Sequence, residues 1–357
     1  MIKRYYLYFM YKFRISDIIS QPNNNISIQF DDLSGNYPSY YPGQFLTLCF
    51  NFGDREVRRS YSFSSSPALK EPLEITVKRV DNGEISRILH HDLKIGDVVN
   101  VLEPQGIFIY ETDPNTARTI FLFAAGVGIT PLYSILKSVL IEEPNSKVIL
   151  VYSNSSKEQT LFYQELLEWQ SQYPTRLFIE FIWSNTKNLL KARLNRDYLI
   201  QIVQKYLSND QSFPVFYTCG PVFYMDMCRY TLLGMGYGDE QIKRETFYFP
   251  EEEEDDDERE EEPVDTTSYK VYLDIYGQIH ELVVPYNQSV LDVGLQQKLK
   301  LPYSCKSGMC STCISQVTKG AVRMDYNEVL TDKEVDQGKC LICTAHPLED
   351  NTTIKIL

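Results

Sequence analysis

The sequence has no apolar run near the roughly 20 residues needed to span a bilayer, so no membrane helix is expected. Its opening, MIKRYYLYFMYK, has a short aromatic patch but neither an apolar leader core nor a small-residue cleavage site, which argues against a secretory signal. Met10 serves equally well as a start, with residues 1–9 as an upstream extension. Basic stripes are missing too, and without them a nucleic-acid partner is not expected. There are four histidines and no Cys-x-His pair, which excludes a Rieske centre. Core material, by contrast, is plentiful. At 357 residues, 43% hydrophobic and 23% charged, the chain should form two or three folded domains.

The formal charge of −13 is concentrated in one place. Residues 251–262, EEEEDDDEREEE, carry eleven carboxylates and one Arg, a net −10, which leaves −3 for the other 345 residues. Like charge this dense cannot pack, so residues 251–266 read as an acidic linker. On the N-terminal side, bursts such as NISIQF, GQFLTLCF and LEITVKRV are punctuated by Pro42-Gly43, Asn82-Gly83 and Gly96-Asp97. That rhythm predicts a small antiparallel β-barrel over residues 10–112. Residues 113–250 alternate apolar strands (RTIFLFAAG, KVILVYS, VFYTCG) with helical segments (PLYSILKSVL, RDYLIQIVQKYL), the pattern of a doubly wound α/β domain with a parallel sheet. Residues 267–357 open on a hairpin turning near Gly277-Gln278, followed by a helix over SVLDVGLQQKL and a cysteine-rich loop.

Five of the eight cysteines fall within that last segment. Cys305-x4-Cys310-x2-Cys313, followed after 29 residues by Cys343, is the spacing of a plant-type [2Fe–2S] ferredoxin. Thiolates suit iron because they are soft and anionic. Gly308 lets the loop fold over inorganic sulfide, and the small residues Ser304, Ser307, Ser311 and Thr312 leave backbone N–H groups free to face the sulfurs. The competing reading pairs Cys310-x2-Cys313 with Cys340-x2-Cys343 as a zinc ribbon, which leaves Cys305 without a role and spaces the pairs by 26 residues. If LICTAH runs as a strand, Cys340 and Cys343 point to opposite faces, so only one can meet the cluster. Clustered cysteines without a leader point to a reducing, cytoplasmic setting.

Three further motifs suit nucleotides. Gly126-Val-Gly128-Ile-Thr130-Pro131 lies between an apolar strand and a helix, where backbone N–H groups can meet a pyrophosphate. Cys219-Gly220-Pro221 ends another parallel strand, where such sheets hold their ligands, although a buried Cys of purely structural purpose fits as well. In Arg59-Ser60-Tyr61-Ser62, the Tyr can stack on a planar ring, a hydroxyl can bond a ring nitrogen and the Arg can fork a phosphate; a packed Tyr and a solvated Arg would look the same. Asn82-Gly83-Glu84-Ile85-Ser86 opens a short helix with a second phosphate-compatible N-terminus. His90-His91 match no motif and read as a solvated surface pair.

Taken in order, RSYS, NGEIS, GVGITP, CGP and the plant-type cysteines resemble ferredoxin–NADP reductase-like flavoproteins fused to a C-terminal ferredoxin of the β-grasp kind. Within that family the chain is most similar to the reductase subunits of phenylacetyl-coenzyme A epoxidase systems, through Pro302-Tyr303-Ser304-Cys305, the stretch 324–330 and Ala345-His346-Pro347. The resemblance implies that Arg59 binds the FAD pyrophosphate, Tyr61 stacks on the isoalloxazine, and Ser62 bonds near its N5. Gly83 and Ser86 would hold the pyrophosphate from the other side. Gly126, Gly128 and Thr130 would line the nicotinamide dinucleotide site, with Cys219 and Gly220 near the nicotinamide and Phe247 as the family's late aromatic. Ser62 and Cys219 would then be the catalytic pair. Asn154-Ser155 and Ala192-Arg193-Leu194 depart from the family where a 2′-phosphate is read; Lys157 and Arg193 lean the cofactor toward NADPH. The implied function is electron transfer from NAD(P)H through FAD to the [2Fe–2S] cluster and on to a partner oxygenase, such as a di-iron aromatic-ring epoxidase or hydroxylase. A hybrid-cluster protein or desaturase as acceptor, or a non-enzymatic [2Fe–2S] carrier, are the alternatives.

Overall fold

The structure is a computed structural model that describes residues 10–247 and 267–357, except 34, 36, 37, 54, 81, 189, 190 and 209–211. The proposed extension 1–9 and the acidic linker 251–266 lie outside the described residues. The chain divides into two compact units, one holding residues 10–247 and the other 267–357.

In the first unit, β1 (Tyr11–Gln21), β2 (Asn25–Asp32), β3 (Phe45–Phe52), β4 (Arg55–Ser62), β5 (Leu73–Lys78) and β6 (Val98–Val101) form one antiparallel sheet. Its order is β4-β3-β6-β1-β2-β5. The two edges meet through a Phe63–Ile75 bridge and a Ser64 N–H to Glu74 carbonyl bond of 2.9 Å, closing the sheet into a barrel. Alternate residues such as Phe13, Ile15, Ile28, Phe30, Leu46 and Leu48 fill its interior. A helix, α1 (Glu84–His91), follows β5. His91 is exposed as expected, but His90 is half-buried, and burial with the Arg79 charge pushes its imidazole pKa down. His90 and His91 are therefore not a solvated pair: His90 lies one turn beyond buried Ser86 and bonds the Val77 backbone.

Five parallel strands follow: β7 (Arg118–Ala125), β8 (Lys147–Asn154), β9 (Leu177–Trp183), β10 (Phe213–Cys219) and β11 (Ile242–Glu245). Their order is β11-β10-β7-β8-β9. Along β7, Ile120, Leu122 and Ala124 face one core while Phe121 and Phe123 face the other. Burial on both faces explains why these strands read as unbroken apolar runs. The first core is covered by α2 (Ile129–Glu142) and α3 (Tyr163–Gln172), the second by α4 (Arg196–Leu207) and α5 (Val222–Gly234). Successive strands leave β7 in opposite directions, which makes the β7–β10 boundary a topological switch point.

The barrel is tied to the α/β layer by buried polar contacts. Lys137 on α2, 4% exposed, pairs with Glu71 at 2.5 Å, and Ser66 and Ser138 hydroxyls meet at 2.6 Å. The connector between barrel and β7 is anchored on Glu143, which is fully buried. Its carboxylate pairs with Arg118 and accepts from Tyr110 (2.9 and 3.0 Å), the Asp113 N–H (3.0 Å) and Ser146 (2.6 Å).

The second unit opens with β12 (Ser268–Ile275) and β13 (Gln278–Pro285), joined by Tyr276-Gly277. Both turn residues have positive φ, 52° and 91°, as a two-residue hairpin of matching twist requires. Next come α6 (Val290–Gln296), β14 (Ile314–Lys319), β15 (Val322–Met324), α7 (Asp332–Asp336), β16 (Lys339–Leu341), β17 (Ala345–Pro347) and β18 (Thr352–Ile356). The main sheet runs β13-β12-β18-β14-β16, with β12 and β18 parallel at its centre, the mixed arrangement of a β-grasp. The α6 helix stops earlier than SVLDVGLQQKL suggested, because Lys298 turns to φ +60° and its N–H bonds Leu295. LICTAH is not a strand: Ile342–Thr344 form a turn between β16 and β17, closed by the Thr344 N–H on the Leu341 carbonyl at 3.1 Å.

Removing Glu143 should strand Arg118 and Tyr110 without their buried partner. Glu143→Ala is expected to cost about 3–5 kcal/mol in urea unfolding followed by loss of bound flavin, whereas Glu143→Gln, which keeps an acceptor, costs clearly less.

Candidate functional site

On the barrel, Arg59, Ser60, Tyr61 and Ser62 form the last half of β4, beside the closing seam. That seam is antiparallel, so these residues run back toward the end of β5 and the turn that opens α1. The Ser60 hydroxyl lies 2.9 Å from that of Thr47, and Arg59 Nη1 donates to the Arg58 carbonyl at 2.8 Å. Burial raises the Tyr61 phenol pKa and keeps it neutral, with its ring half-covered against the barrel core. Ser62 is 3% exposed, and its hydroxyl has no hydrogen-bond partner among the described residues. An orphaned hydroxyl next to a neutral aromatic ring fits a planar heterocycle with an edge nitrogen. Gly83 is the N-cap of α1, with no capping side chain. A Cβ there would stand 2.5 Å from Ser86 Oγ. That Ser86 hydroxyl instead closes the turn, accepting from Val80 N–H and reaching the Val80 and Gly83 carbonyls at 3.2–3.3 Å.

Across the switch point, Gly126–Gly128 form a single 3₁₀ turn leading into α2. Gly126 has φ +56° with open space where a side chain would be. A Cβ on Gly128 would overlap the Cys219 carbonyl, so the two turns touch through backbone. Gly220 in turn packs against Ala125, and Pro221 caps α5. Thr130 is buried, its hydroxyl donating to the Val127 carbonyl at 3.1 Å. Cys219 is fully buried; burial and the Glu245 charge push its thiol pKa well up, so it is a neutral thiol. Phe247 packs on the core beneath β7 and α2.

Three residues of this crevice escaped the sequence reading. Tyr152 and Tyr224 donate to the Gly126 and Ala124 carbonyls at 3.0 and 3.1 Å, pinning the end of β7. Each looks like an ordinary core tyrosine in its own segment. Glu245 pairs in register with Cys219 across β10 and β11, and desolvation raises its carboxyl to about 8. RETF drew notice only for its Phe. Lys157 lies over the Tyr163 ring at 4.9 Å, and Arg193 is exposed between buried Ala192 and Leu194. Asn154 and Ser155 accept from Ser184 and Asn185, extending β8 onto β9.

In the second unit, Lys306, Gly308 and Ser311 all have positive φ, which coils the cysteine loop on itself. The N–H groups of Ser307 and Met309 reach Cys305 Sγ at 3.4 Å, and the Cys305 N–H reaches Cys310 Sγ at 3.3 Å. Cys313 and Cys343 sulfurs are 3.2 Å apart. The thiols share protons: hydrogen bonds from Cys310, Cys343 and those backbone N–H groups pull the Cys305 pKa down, while Cys310 and Cys343, as the donors, are pushed up. Stretch 324–330 braces the loop: a Cβ on Gly308 would strike the Tyr326 carbonyl, and the Glu328 N–H bonds the Gly308 carbonyl at 3.1 Å. Cys340 is fully buried in the hydrophobic core, its thiol pushed up to about 12 by burial. Among the described residues no three His, Cys, Asp or Glu side chains group around one ion. Two adjacent thiol pairs with inward N–H groups fit a two-iron sulfide cluster better than a single zinc.

Three domain families match the chain. Residues 23–110 match the oxidoreductase FAD-binding domain, 122–230 the oxidoreductase NAD-binding domain, and 273–348 the 2Fe-2S iron-sulfur cluster binding domain. The chain is 33% identical to the ferredoxin reductase component of 3-ketosteroid-9-alpha-monooxygenase from Rhodococcus rhodochrous, over 96% of this chain and 95% of that one. It is 32% identical to one of the subunits of 1,2-phenylacetyl-CoA epoxidase from Escherichia coli, over 88% of each. Its fold is that of phthalate dioxygenase reductase, with a TM-score of 0.61 at 24% identity, covering 97% of this chain and 98% of that one.

Two outcomes follow from the geometry. Gly128→Ala should weaken nicotinamide dinucleotide binding at least tenfold in a flavin-perturbation titration while flavin content stays unchanged. Cys343→Ser should abolish or distort the [2Fe–2S] absorption and electron-resonance spectra, and Cys340→Ser should leave them intact; the reverse pattern would reassign the fourth ligand.

Proposed function

The chain belongs to the family of oxidoreductases that join FAD-binding, NAD-binding and [2Fe–2S] domains in one polypeptide, and from that premise we propose that it is the reductase component of an oxygenase system. Bound FAD supplies the conversion between a two-electron hydride donor and the one-electron chemistry of the cluster. The observation that carries the reading is the Gly128–Cys219 backbone contact, which brings two dinucleotide-type turns into one crevice.

Within it, Arg59 and the α1 N-terminus at Gly83 bind the flavin pyrophosphate, with Ser86 shaping that turn. Tyr61 covers the ring, and Ser62 supplies a hydroxyl to its edge. Gly126, Gly128 and Thr130 position the dinucleotide, and Cys219 with Gly220 and Pro221 bounds the nicotinamide end as a neutral, water-excluding wall. Cys305, Cys310, Cys313 and Cys343 hold the cluster. The working division is 10–112 for flavin, 113–250 for the dinucleotide, 251–266 as acidic tether and 267–357 for the cluster. Joining the domains in one chain keeps the cluster domain at high local concentration.

The acceptor is an oxygenase, in the first place a di-iron aromatic-ring epoxidase or hydroxylase, by likeness to the epoxidase component. The steroid monooxygenase component supports the broader class of ring oxygenases. NADPH is the preferred donor: Lys157 and Arg193 offer cations at the ends of β8 and near α4, and no Asp or Glu directly follows β8 to bond a ribose 2′-hydroxyl. The compartment is the cytoplasm, where all eight cysteines, each a free thiol here, stay reduced.

Purified protein should carry FAD, iron and sulfide and reduce cytochrome c with NADPH, and Tyr61→Ala should shed flavin on gel filtration. Folded protein without flavin absorbance contradicts the assignment. The kcat/KM for NADPH should exceed that for NADH at least tenfold, about 1.4 kcal/mol of transition-state discrimination; an equal preference for NADH reverses the choice of donor.

A further inference from the structure

Ser307 sits inside the cysteine loop, two residues after Cys305. Its backbone N–H is committed to Cys305 Sγ at 3.4 Å. Its hydroxyl oxygen is buried yet has no hydrogen-bond partner among the described residues, whether oxygen, nitrogen or protein sulfur. A buried hydroxyl left without an acceptor costs about 1–3 kcal/mol, so such a group calls for a partner that the protein itself does not supply, a water or a ligand atom. The neighbouring hydroxyl shows the contrast: Thr312 is within 3.4 Å of Cys310 Sγ and of the Cys310 carbonyl.

The backbone explains why the side chain is held there. Lys306 at φ +59° and Gly308 at φ +73° flank Ser307, and Gly308 is trapped against the Tyr326 carbonyl, so the backbone on both sides of Ser307 is held in place. Lys306, by contrast, is exposed and directs its ammonium over the Tyr303 ring, 5.1 Å from its centroid. The loop thus presents the Lys306 charge to solvent and keeps the Ser307 hydroxyl oxygen out of it.

We propose that Ser307 Oγ donates a hydrogen bond to an inorganic sulfide of the cluster and thereby raises the cluster's reduction potential. The inference rests on the reading that Cys305, Cys310, Cys313 and Cys343 hold a [2Fe–2S] cluster. The added electron puts negative charge on the sulfurs, and a donor aimed at sulfide stabilises the reduced form more than the oxidised one. No bond is broken. The hydroxyl keeps its proton in both oxidation states, and the electron arriving at the cluster is the one the flavin gives up. Ser307 is thus a tuning residue, setting how readily the cluster draws electrons from the flavin.

The test is a spectroscopic redox titration of the full-length holoprotein, with iron and acid-labile sulfide measured on each sample. Ser307→Ala should lower the equilibrium constant for cluster reduction against a fixed mediator threefold to tenfold, about 28–59 mV at 59 mV per decade for one electron. The flavin potential should not move, and Ser307→Thr, which restores a hydroxyl, should return the cluster toward the wild-type value. Pulsed double-resonance spectra of the reduced cluster in H2O and D2O should lose one exchangeable proton coupling in the Ala variant. If Ser307→Ala fails to assemble a cluster, Thr against Val at the same position gives the same comparison. An unchanged potential with full iron and sulfide, or an unchanged set of exchangeable couplings, overturns the proposal while leaving the cluster reading intact. Wild-type protein lacking iron and sulfide overturns the cluster reading itself.

Discussion

The dinucleotide half of this molecule depends on one contact between two pieces of backbone: Gly128 lies against the Cys219 carbonyl with no room for a Cβ. Parallel pairing of β7 with β10 brings the two strand ends level, with Cys219 opposite Ala124. Because the strand order reverses there, the helices leaving those ends, α2 and α5, begin on the same crevice. Tyr152 and Tyr224 then fix the carbonyls of Gly126 and Ala124 by their hydroxyls, so the turn has hydrogen-bonded support from both neighbouring elements. A single methyl group at 128 would have to displace a carbonyl that belongs to the second turn.

The cysteine loop meets a comparable demand by a different route. Three residues in the left-handed region, with one of them pinned by the Tyr326 carbonyl, aim backbone N–H groups at sulfur rather than at water. Each such N–H stabilises negative charge on a thiolate, which is what a cluster with four anionic ligands requires. Both turns are therefore held by tight glycine packing that fixes the direction of main-chain groups.

Much of this was legible in the residues. The barrel and the parallel layer follow from periodicity and turn chemistry, the hairpin follows with its turn one residue earlier than the expected Gly277-Gln278, and the iron–sulfur domain follows from the spacing of its cysteines. Other features were not. LICTAH has strand-forming residues, yet Cys343 sits in a turn because Ile342 N–H is drawn to the Cys313 carbonyl at 3.3 Å, a tertiary bond that local propensity does not contain. The strand-face argument that set Cys343 against Cys340 falls with that strand: Cys340 lies on β16, Cys343 in the turn that follows, and both are buried in the same core. Glu245 and the two pinning tyrosines were invisible since their neighbours in space lie 26 to 100 residues away in the chain. Ser86 shows the limit of motif reasoning in another way, its hydroxyl being occupied by the turn that Gly83 makes possible.

Electrons run in a fixed order, from the nicotinamide dinucleotide to flavin and only then to the cluster. Anaerobic rapid mixing of the full-length holoprotein with NADPH, following flavin absorbance and the cluster's electron-resonance signal together, tests it most directly. Flavin bleaching should come first, the reduced-cluster signal should follow, and protein depleted of flavin should show no cluster reduction on the same timescale. Cluster reduction that precedes flavin bleaching, or that persists at full rate without flavin, would contradict the account.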